Sequence, residues 1–324
     1  MSVILINPKN KSPLKEKLDT YIDDFGNVYP IIKGVGRFTS PDNYSKSFGL
    51  QWNTFDKTQF DRGCDGLLLS KQRFFGQSNW SALDLEGKDI LEVGAGAGRF
   101  SRVVLEQTRA NLYSIDYSDA VTANFRNNSK IDPDRFKLFQ ASVYEMPFPD
   151  DSFDKVFCFG VLQHTPDFRS SIKALIAKAK VGGEIVVDFY PIKGWWTKVH
   201  AKYLLRPWTK SMDYHDLLGI INNNIDWLIK VSKYLIKFKL GVLTRMVPIV
   251  DLRTIPHQLL SDSEFREWVI LDTFDMFSPE NDHPQKLEDV AEMFTSSGAK
   301  VTFSGFVEYT KGFNAAVVRG IKQA

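Results

Sequence analysis

An α/β fold, with a mostly parallel sheet carrying helices on both faces, is the architecture the sequence predicts, and three observations predict it. Short apolar strands alternate with helical runs from 81 to 191. The first strand collides with a glycine-rich turn in "DILEVGAGAGRF", Asp89 to Phe100. The second strand, "NLYSID", ends on an acid, Asp116.

The elements follow in order. The first forty residues contain two stretches punctuated by Pro and Gly, "LINPKNKSPL" and "DDFGNVYPIIKGVGRF", which read as short hairpins. Residues 41–80 read as helical, with "SFGLQW" and "LLLSKQRFFG" supplying apolar positions at helical spacing. "KDILEVG" is a strand and "GRFSRVVLEQ" the helix after it; "NLYSID" and "SDAVTANFRNNS" repeat the unit. "FKLFQAS" and "FDKVFCFGV" are further strands, followed by the helix "FRSSIKALIAKAK" and the strand "GGEIVVDFY". After Tyr190 the alternation stops, and residues 192–285 form a Trp-, Lys- and Leu-rich insertion read as a helical lid. A helix at "PQKLEDVAEMFTSSG" and the strands "KVTFSGFVE" and "FNAAVVRG" resume the core, so the core is 81–191 together with 286–324.

The 324 residues are 43% hydrophobic and 13% aromatic, enough for a substantial buried core. Basic and acidic residues nearly balance, 41 against 39, and nothing in that charge calls for nucleic acid as a partner. Two cysteines, Cys64 and Cys158, are too few for a disulfide framework. No charged-then-apolar leader opens the chain, and no apolar run reaches the roughly 18 residues that span a bilayer. The expectation is a soluble, cytoplasmic protein.

A glycine-rich strand-to-helix turn can cradle a dinucleotide, a phosphate or S-adenosylmethionine. A dinucleotide turn spaces its glycines G-x-G-x-x-G, whereas Gly94, Gly96 and Gly98 are spaced G-x-G-x-G. Glu92, two positions earlier, repels phosphates but favours the ammonium and sulfonium of S-adenosylmethionine. The glycines read as positions where a side chain would occupy ligand space. Asp116, 18 residues after Gly98, stands where an acceptor for two ribose hydroxyls belongs.

Together "ILEVGAGAGRF", "SIDYS", "MPFPDDSFDKVFCFGVLQHTPD" and "VGGEIVVDF" resemble the class I S-adenosylmethionine-dependent methyltransferases over residues 88–190. The resemblance implies a Rossmann-like, mostly parallel seven-stranded sheet, with S-adenosylmethionine as the cofactor. It implies that Gly94, Gly96 and Gly98 line the methionine moiety, and that Asp116 binds the ribose; Glu92 is a cofactor candidate by its charge, with a lysine partner as the alternative. Tyr117 packs on adenine, Ser142 and Val143 flank its edge, and Gly160 lies nearby. Many relatives have an Asp where Ser142 stands, so a charged grip on the adenine amine is missing. Phe48, Gln51 and Trp52 resemble the cap that closes over the cofactor, and Arg73 is the candidate for the methionine carboxylate. The N-terminal hairpins resemble the small zinc ribbon that precedes many bacterial methyltransferases. Its four ligand positions are Asn7, Asn10, Ile22 and Phe25, none of which supplies a thiolate. The reading is a metal-free ribbon held by Val28, Tyr29, Ile31 and Ile32; an unrelated hairpin is the alternative.

Methyl transfer to a hydroxyl needs alignment and a base. His164 in "GVLQHTPD" sits just beyond the fourth strand, where ligands of open sheets bind. A second group, Asp272, Asp275, Asp282 and His283, lies in "LDTFDMFSPENDHPQ"; Asp272, Asp275 and His283 are the candidate base with its orienting carboxylates. Its bland alternative is a solvated segment in which Asp282 caps the following helix. No ligand spacing supports a metal. His257 is a weaker candidate base, and His200 and His215 read as structural. The lid run Leu217–Leu240 mixes lysines with apolar residues, which fits either a membrane-surface contact or a helical hairpin packed on the core or on a second subunit. The function expected is methyl transfer to a small molecule, most readily a hydroxyl of a sugar-containing or secondary-metabolite acceptor. A non-catalytic S-adenosylmethionine-binding module, or an N- or C-methyltransferase, is the alternative.

Overall fold

The computed structural model describes residues 3–40, 43–62, 68–192, 194 and 199–324; Cys64, Trp195 and Trp196 lie outside the described residues. Eleven strands among the described residues form one sheet. They are β1 (Leu14–Lys17), β2 (Thr20–Asp23), β3 (Val28–Ile32), β4 (Val35–Arg37), β5 (Asp89–Val93), β6 (Asn111–Asp116), β7 (Phe136–Gln140), β8 (Phe153–Cys158), β9 (Ala179–Phe189), β10 (Ala299–Thr310) and β11 (Phe313–Lys322). Their order is β1-β2-β3-β4-β7-β6-β5-β8-β9-β11-β10. The seven strands from β7 to β10 are the expected Rossmann-like core, with β7, β6, β5, β8 and β9 mutually parallel and the β10–β11 hairpin antiparallel. The four N-terminal strands extend that sheet, because β4 pairs parallel with β7.

The N-terminal hairpins are held differently from the expectation. In β3 every second residue faces outward, which leaves Val28 and Ile32 about half exposed and turns Tyr29 and Ile31 inward. Tyr29 packs on Phe38, with ring centroids 4.8 Å apart. The polar anchor is Asp23. Its carboxylate accepts from Asn7 (2.6 Å), Asn10 (2.9 Å), Ser12 (3.0 Å) and Asn27 (2.8 Å), and from the backbone N–H groups of Phe25 and Asn27. Burial pushes this carboxyl up, but the donors Asn10, Asn27 and Asn7 outweigh it and hold the pKa well below the usual range. Two positions that a ribbon reserves for metal ligands, Asn7 and Asn10, thus donate to one buried carboxylate.

Helices cover both faces. On one side α5 (Phe168–Lys178) and α9 (Leu287–Ser296) bury Leu91 and Val93 of β5. On the other, α2 (Leu69–Ser78) and α3 (Arg99–Gln107) bury Ile90 and Leu112. α1 (Lys46–Thr54) and α4 (Val121–Asn128) lie at the edge of the glycine turn. A separate apolar cluster is built from α7 (Tyr214–Lys237) and α8 (Asp262–Phe277) with Phe55 after α1. α6 (Ala201–Thr209) packs on α8. The chain just after β9 is stitched to the chain just before α9: the Gln285 N–H donates to the Tyr190 carbonyl (3.0 Å) and the Ile192 N–H to the Gln285 carbonyl (2.8 Å).

All three glycines of the turn have positive φ: +79° at Gly94, +51° at Gly96 and +91° at Gly98. At Gly98 a Cβ would come within 2.1 Å of Asn128 Nδ2 and 2.2 Å of Asn124 Oδ1. Those amides are committed, Asn128 to the Gly98 carbonyl (2.9 Å) and Asn124 to Ser101 (3.1 Å). Gly98→Ala is therefore expected to lose roughly 2–5 kcal/mol through left-handed strain and a broken buried network. Urea denaturation checks this; a midpoint equal to the parent's would contradict it.

Candidate active site

At the carboxyl ends of the parallel strands lies a cavity of about 680 Å³, a size suited to a cofactor plus a small molecule. Gly94 to Ala97 and Arg99 form its floor, Asp116 and Tyr117 one wall, Ala141 and Val143 the next, and Phe159 to Leu162 the next. α1 contributes Phe48, Gln51 and Trp52 from above, and α8 contributes Asp272 and Asp275.

Among the expected cofactor residues, Gly94, Gly96, Asp116, Tyr117, Val143, Gly160, Arg73 and Trp52 line this cavity. Three do not. Strand alternation turns Glu92 with Ile90 under α3, where its carboxylate accepts from Ser101 (2.5 Å) and Ser114 (2.6 Å). Burial there pushes its pKa up to about 7, against the two serine donors. Gly98 faces Asn124 and Asn128, and Ser142 Oγ turns back to accept from the Tyr144 N–H (3.2 Å). A Cβ at Gly94 would collide with Val161, whereas Gly96 looks towards a cap residue, with Trp52 Nε1 3.3 Å from where its Cβ would stand.

Asp116 accepts from the Gly96 N–H (2.8 Å), the Ser118 N–H (2.8 Å) and Ser118 Oγ (2.6 Å). Burial raises its pKa, and those donors oppose the rise. Tyr117 leans on Tyr44, centroids 4.9 Å apart. Arg73 is not free to serve a ligand alone: it pairs with buried Asp188, which also accepts from the Gly160 N–H. Beside it Arg99 lies 4.5 Å over the Phe100 ring, its pKa pushed down to about 10 by burial and by Arg73. A carboxylate at the second strand end, aromatic and apolar walls, and two guanidiniums fit the ribose, adenine and carboxylate of S-adenosylmethionine.

His164 is buried in the short turn Leu162–His164 after β8, between the rings of Phe48 (5.1 Å) and Tyr190 (5.6 Å). Its Nδ1 lies 3.1 Å from the Asn281 carbonyl. A carbonyl only accepts, so Nδ1 carries the proton and Nε2 the lone pair. Among the described residues Nε2 is buried with no partner. Burial lowers the pKa of His164, while Asp275 and Asp282 favour its cation.

Asp272 and Asp275, one turn apart on α8, both reach the cavity. Asp272 accepts from Gln59 (3.1 Å) and Trp268 (3.0 Å), and burial, reinforced by Asp275, pushes its pKa up to about 7. Asp275 accepts from Gln51 (3.3 Å) and the Tyr190 hydroxyl (3.1 Å). His283 does not join them: it is exposed, outside the cavity, with its N–H on the Gln163 carbonyl (2.7 Å). Asp282 caps no helix; it pairs with Lys202 at 2.9 Å, and α9 begins after Lys286. His257 is exposed, and His200 caps α6 at the cavity wall by accepting from the Lys202 N–H (3.1 Å). The sequence reading missed Asp188, Tyr190 and Arg99. An acid inside the apolar strand "EIVVDFY" was the available signal for Asp188.

Residues 91–187 match a protein family described as a methyltransferase domain. The chain is 35% identical over 114 residues to a tRNA U34 carboxymethyltransferase of Nautilia profundicola, covering 35% of this chain and 37% of that protein. It is 28% identical over 107 residues to phosphoethanolamine N-methyltransferase 2 of Caenorhabditis elegans, covering 32% and 24%. A ubiquinone biosynthesis O-methyltransferase of Pseudomonas entomophila is 33% identical over 113 residues, covering 33% and 47%. The chain thus spans less than half the length of each of these curated relatives. Among solved structures, magnesium protoporphyrin IX methyltransferase from Synechocystis PCC 6803 with bound S-adenosylmethionine superposes at a TM-score of 0.48 and 12% identity, covering 86% of this chain and 94% of that one. The strand order and the match over residues 91–187 together identify the fold as that of the class I S-adenosylmethionine-dependent methyltransferases.

Proposed function

We propose that this protein transfers a methyl group from S-adenosylmethionine to a hydroxyl of a small molecule, with His164 as the base. The observation that carries this reading is the buried, unpartnered Nε2 of His164 on the cavity wall, with its tautomer set by the Asn281 carbonyl. A neutral imidazole whose Nε2 keeps its lone pair unpartnered can take a hydroxyl proton, and Asp275 and Asp282 favour the cation so formed. When bound, S-adenosylmethionine supplies a methyl already activated by the sulfonium. The chain's own part is to hold it: Asp116 for the ribose hydroxyls, Tyr117 and Val143 for adenine, Arg99 and Arg73 for the carboxylate. Trp52 and Phe48 exclude water from above.

The cavity wall around His164 mixes acceptors and donors, namely Asp275, Tyr190 and Gln51, with the apolar Phe48 and Met276. That mixture supports a hydroxylated acceptor with an apolar part, in line with a sugar-containing or secondary-metabolite acceptor. The roles given to Asp272 and Asp275 are orientation and charge, not proton abstraction.

Isothermal titration tests the donor. S-Adenosylmethionine is expected to bind, and Asp116→Ala to weaken it roughly 100-fold by removing two charge-assisted hydrogen bonds. Binding of NAD in its place, or an unchanged affinity in Asp116→Ala, would sink the assignment. Binding without methylated product from any hydroxylated acceptor would favour the non-catalytic module.

A further inference from the structure

α7 carries two apolar faces, and among the described residues one of them packs into a core. Leu217, Ile221, Ile225 and Leu228 enter the lid core. Ile220, Trp227, Val231, Tyr234 and Phe238, spaced seven, four, three and four residues apart, form a second stripe along the helix. That stripe faces solvent: Trp227 is 53%, Tyr234 61% and Phe238 54% exposed. Beyond the helix the chain adds Val242, Leu243 and Met246, all exposed. Contiguous exposed apolar surface of this kind marks an interaction site.

Charge decides the occupant. Residues 220–250 hold five basic side chains, Lys230, Lys233, Lys237, Lys239 and Arg245, and one acidic one, Asp226, which pairs with Arg266 at 2.8 Å, in a chain whose net charge is only +2. Lys230 and Lys237, seven residues apart, flank the aromatic stripe, while Lys233 folds over Phe265 at 4.9 Å. A second copy docked here through a two-fold axis would set lysines against lysines. Aliphatic side chains at Ile220, Val231, Val242 and Leu243 gain nothing from a solvated phosphate backbone. Aromatic rings, aliphatic side chains and lysines in one surface match the apolar interior, the interface and the anionic headgroups of a bilayer. We propose that this face of the lid docks peripherally on an anionic lipid surface. Among the described residues no helix is long and apolar enough to cross a membrane, so the contact lies in the interface. Arg245 and Val250 of the same basic run line the cavity, which places the docking face next to the cavity wall.

The test is cosedimentation of the full chain with phosphatidylcholine vesicles, with and without phosphatidylglycerol. Binding is expected only to the anionic vesicles and should weaken as salt rises. Trp227→Ser with Phe238→Ser, and separately Lys230→Gln with Lys237→Gln, should each weaken it roughly tenfold. Leu83→Ser, an exposed leucine elsewhere on the surface, should leave it unchanged. Unaltered thermal unfolding of the variants shows that the fold is intact. The proposal is overturned by absent vesicle binding, by binding indifferent to these substitutions, by self-association that the same substitutions abolish in place of vesicle binding, or by tighter binding to a single-stranded RNA probe.

Discussion

His164→Asn is expected to lower kcat about 10²- to 10⁴-fold while S-adenosylmethionine still binds. The asparagine keeps a donor for the Asn281 carbonyl, so the turn Leu162–His164 retains its hydrogen bond and only the Nε2 lone pair is lost. His283→Asn is the internal control: that side chain is exposed and outside the cavity, and turnover should not change. The pH profile adds an independent readout. Burial lowers the pKa of His164 below the usual histidine value, so the imidazole is neutral and basic at pH 7. The acid limb of kcat/KM should accordingly fall below about pH 6.5, the unperturbed value, and should vanish in the asparagine variant. Stability follows the same sign. The unfolded chain takes up a proton as pH falls through about 6.5 while folded His164 does not, so stability drops between that value and the lower folded pKa. Full turnover in His164→Asn, with the acid limb retained, would remove His164 as the base.

Local pattern carried the core of this fold because strand, turn and helix signals there are short-range. "DILEVGAGAGRF" announces a strand, a left-handed turn and a helix within twelve residues, and each appears where expected. Pleat direction was harder to read. Charge assigns Glu92 to the ligand, yet its parity with Ile90 puts it under α3, and only the strand's orientation in the sheet decides that. Long-range pairing was not legible at all: the short strand β4 joins β7 across about one hundred residues, which turns a separate hairpin region into a sheet extension. α8 was hidden because its apolar residues leave few gaps for a periodicity to show. Its start was nonetheless written in "SDSE", where Ser261 and Glu264 form a reciprocal capping box. Asp272 and Asp275 were singled out by type, but their shared approach to the cavity depends on that helix. His283 failed for the converse reason: nearness in sequence to Asp282 did not place it in the cavity.

The largest stability effect is expected from Asp188→Ala, at about 3–5 kcal/mol. Asp188 is 2% exposed near the end of β9, and its carboxylate serves both the Arg73 guanidinium and the Gly160 N–H. Removing it leaves Arg73 buried with Nε already unpartnered, beside Arg99, whose pKa is pushed down to about 10 by burial and by Arg73 itself. Two neighbouring cations would then lack the buried carboxylate that pairs with Arg73 and offsets the charge of Arg99. Gly160, at φ +74°, would also lose the acceptor that fixes its N–H two residues before the His164 turn. A loss of that size is a large part of the roughly 5–15 kcal/mol by which a domain is stable. The discriminating experiment is a cycle in urea: Asp188→Ala alone, Arg73→Met alone, and both together. Breaking one partner strands a buried charge or a buried carboxylate, whereas replacing both removes the need for either. The double variant should therefore be more stable than Asp188→Ala. Strict additivity of the two single losses would show instead that Asp188 acts through Gly160, and that the ion pair contributes nothing to holding the cavity floor.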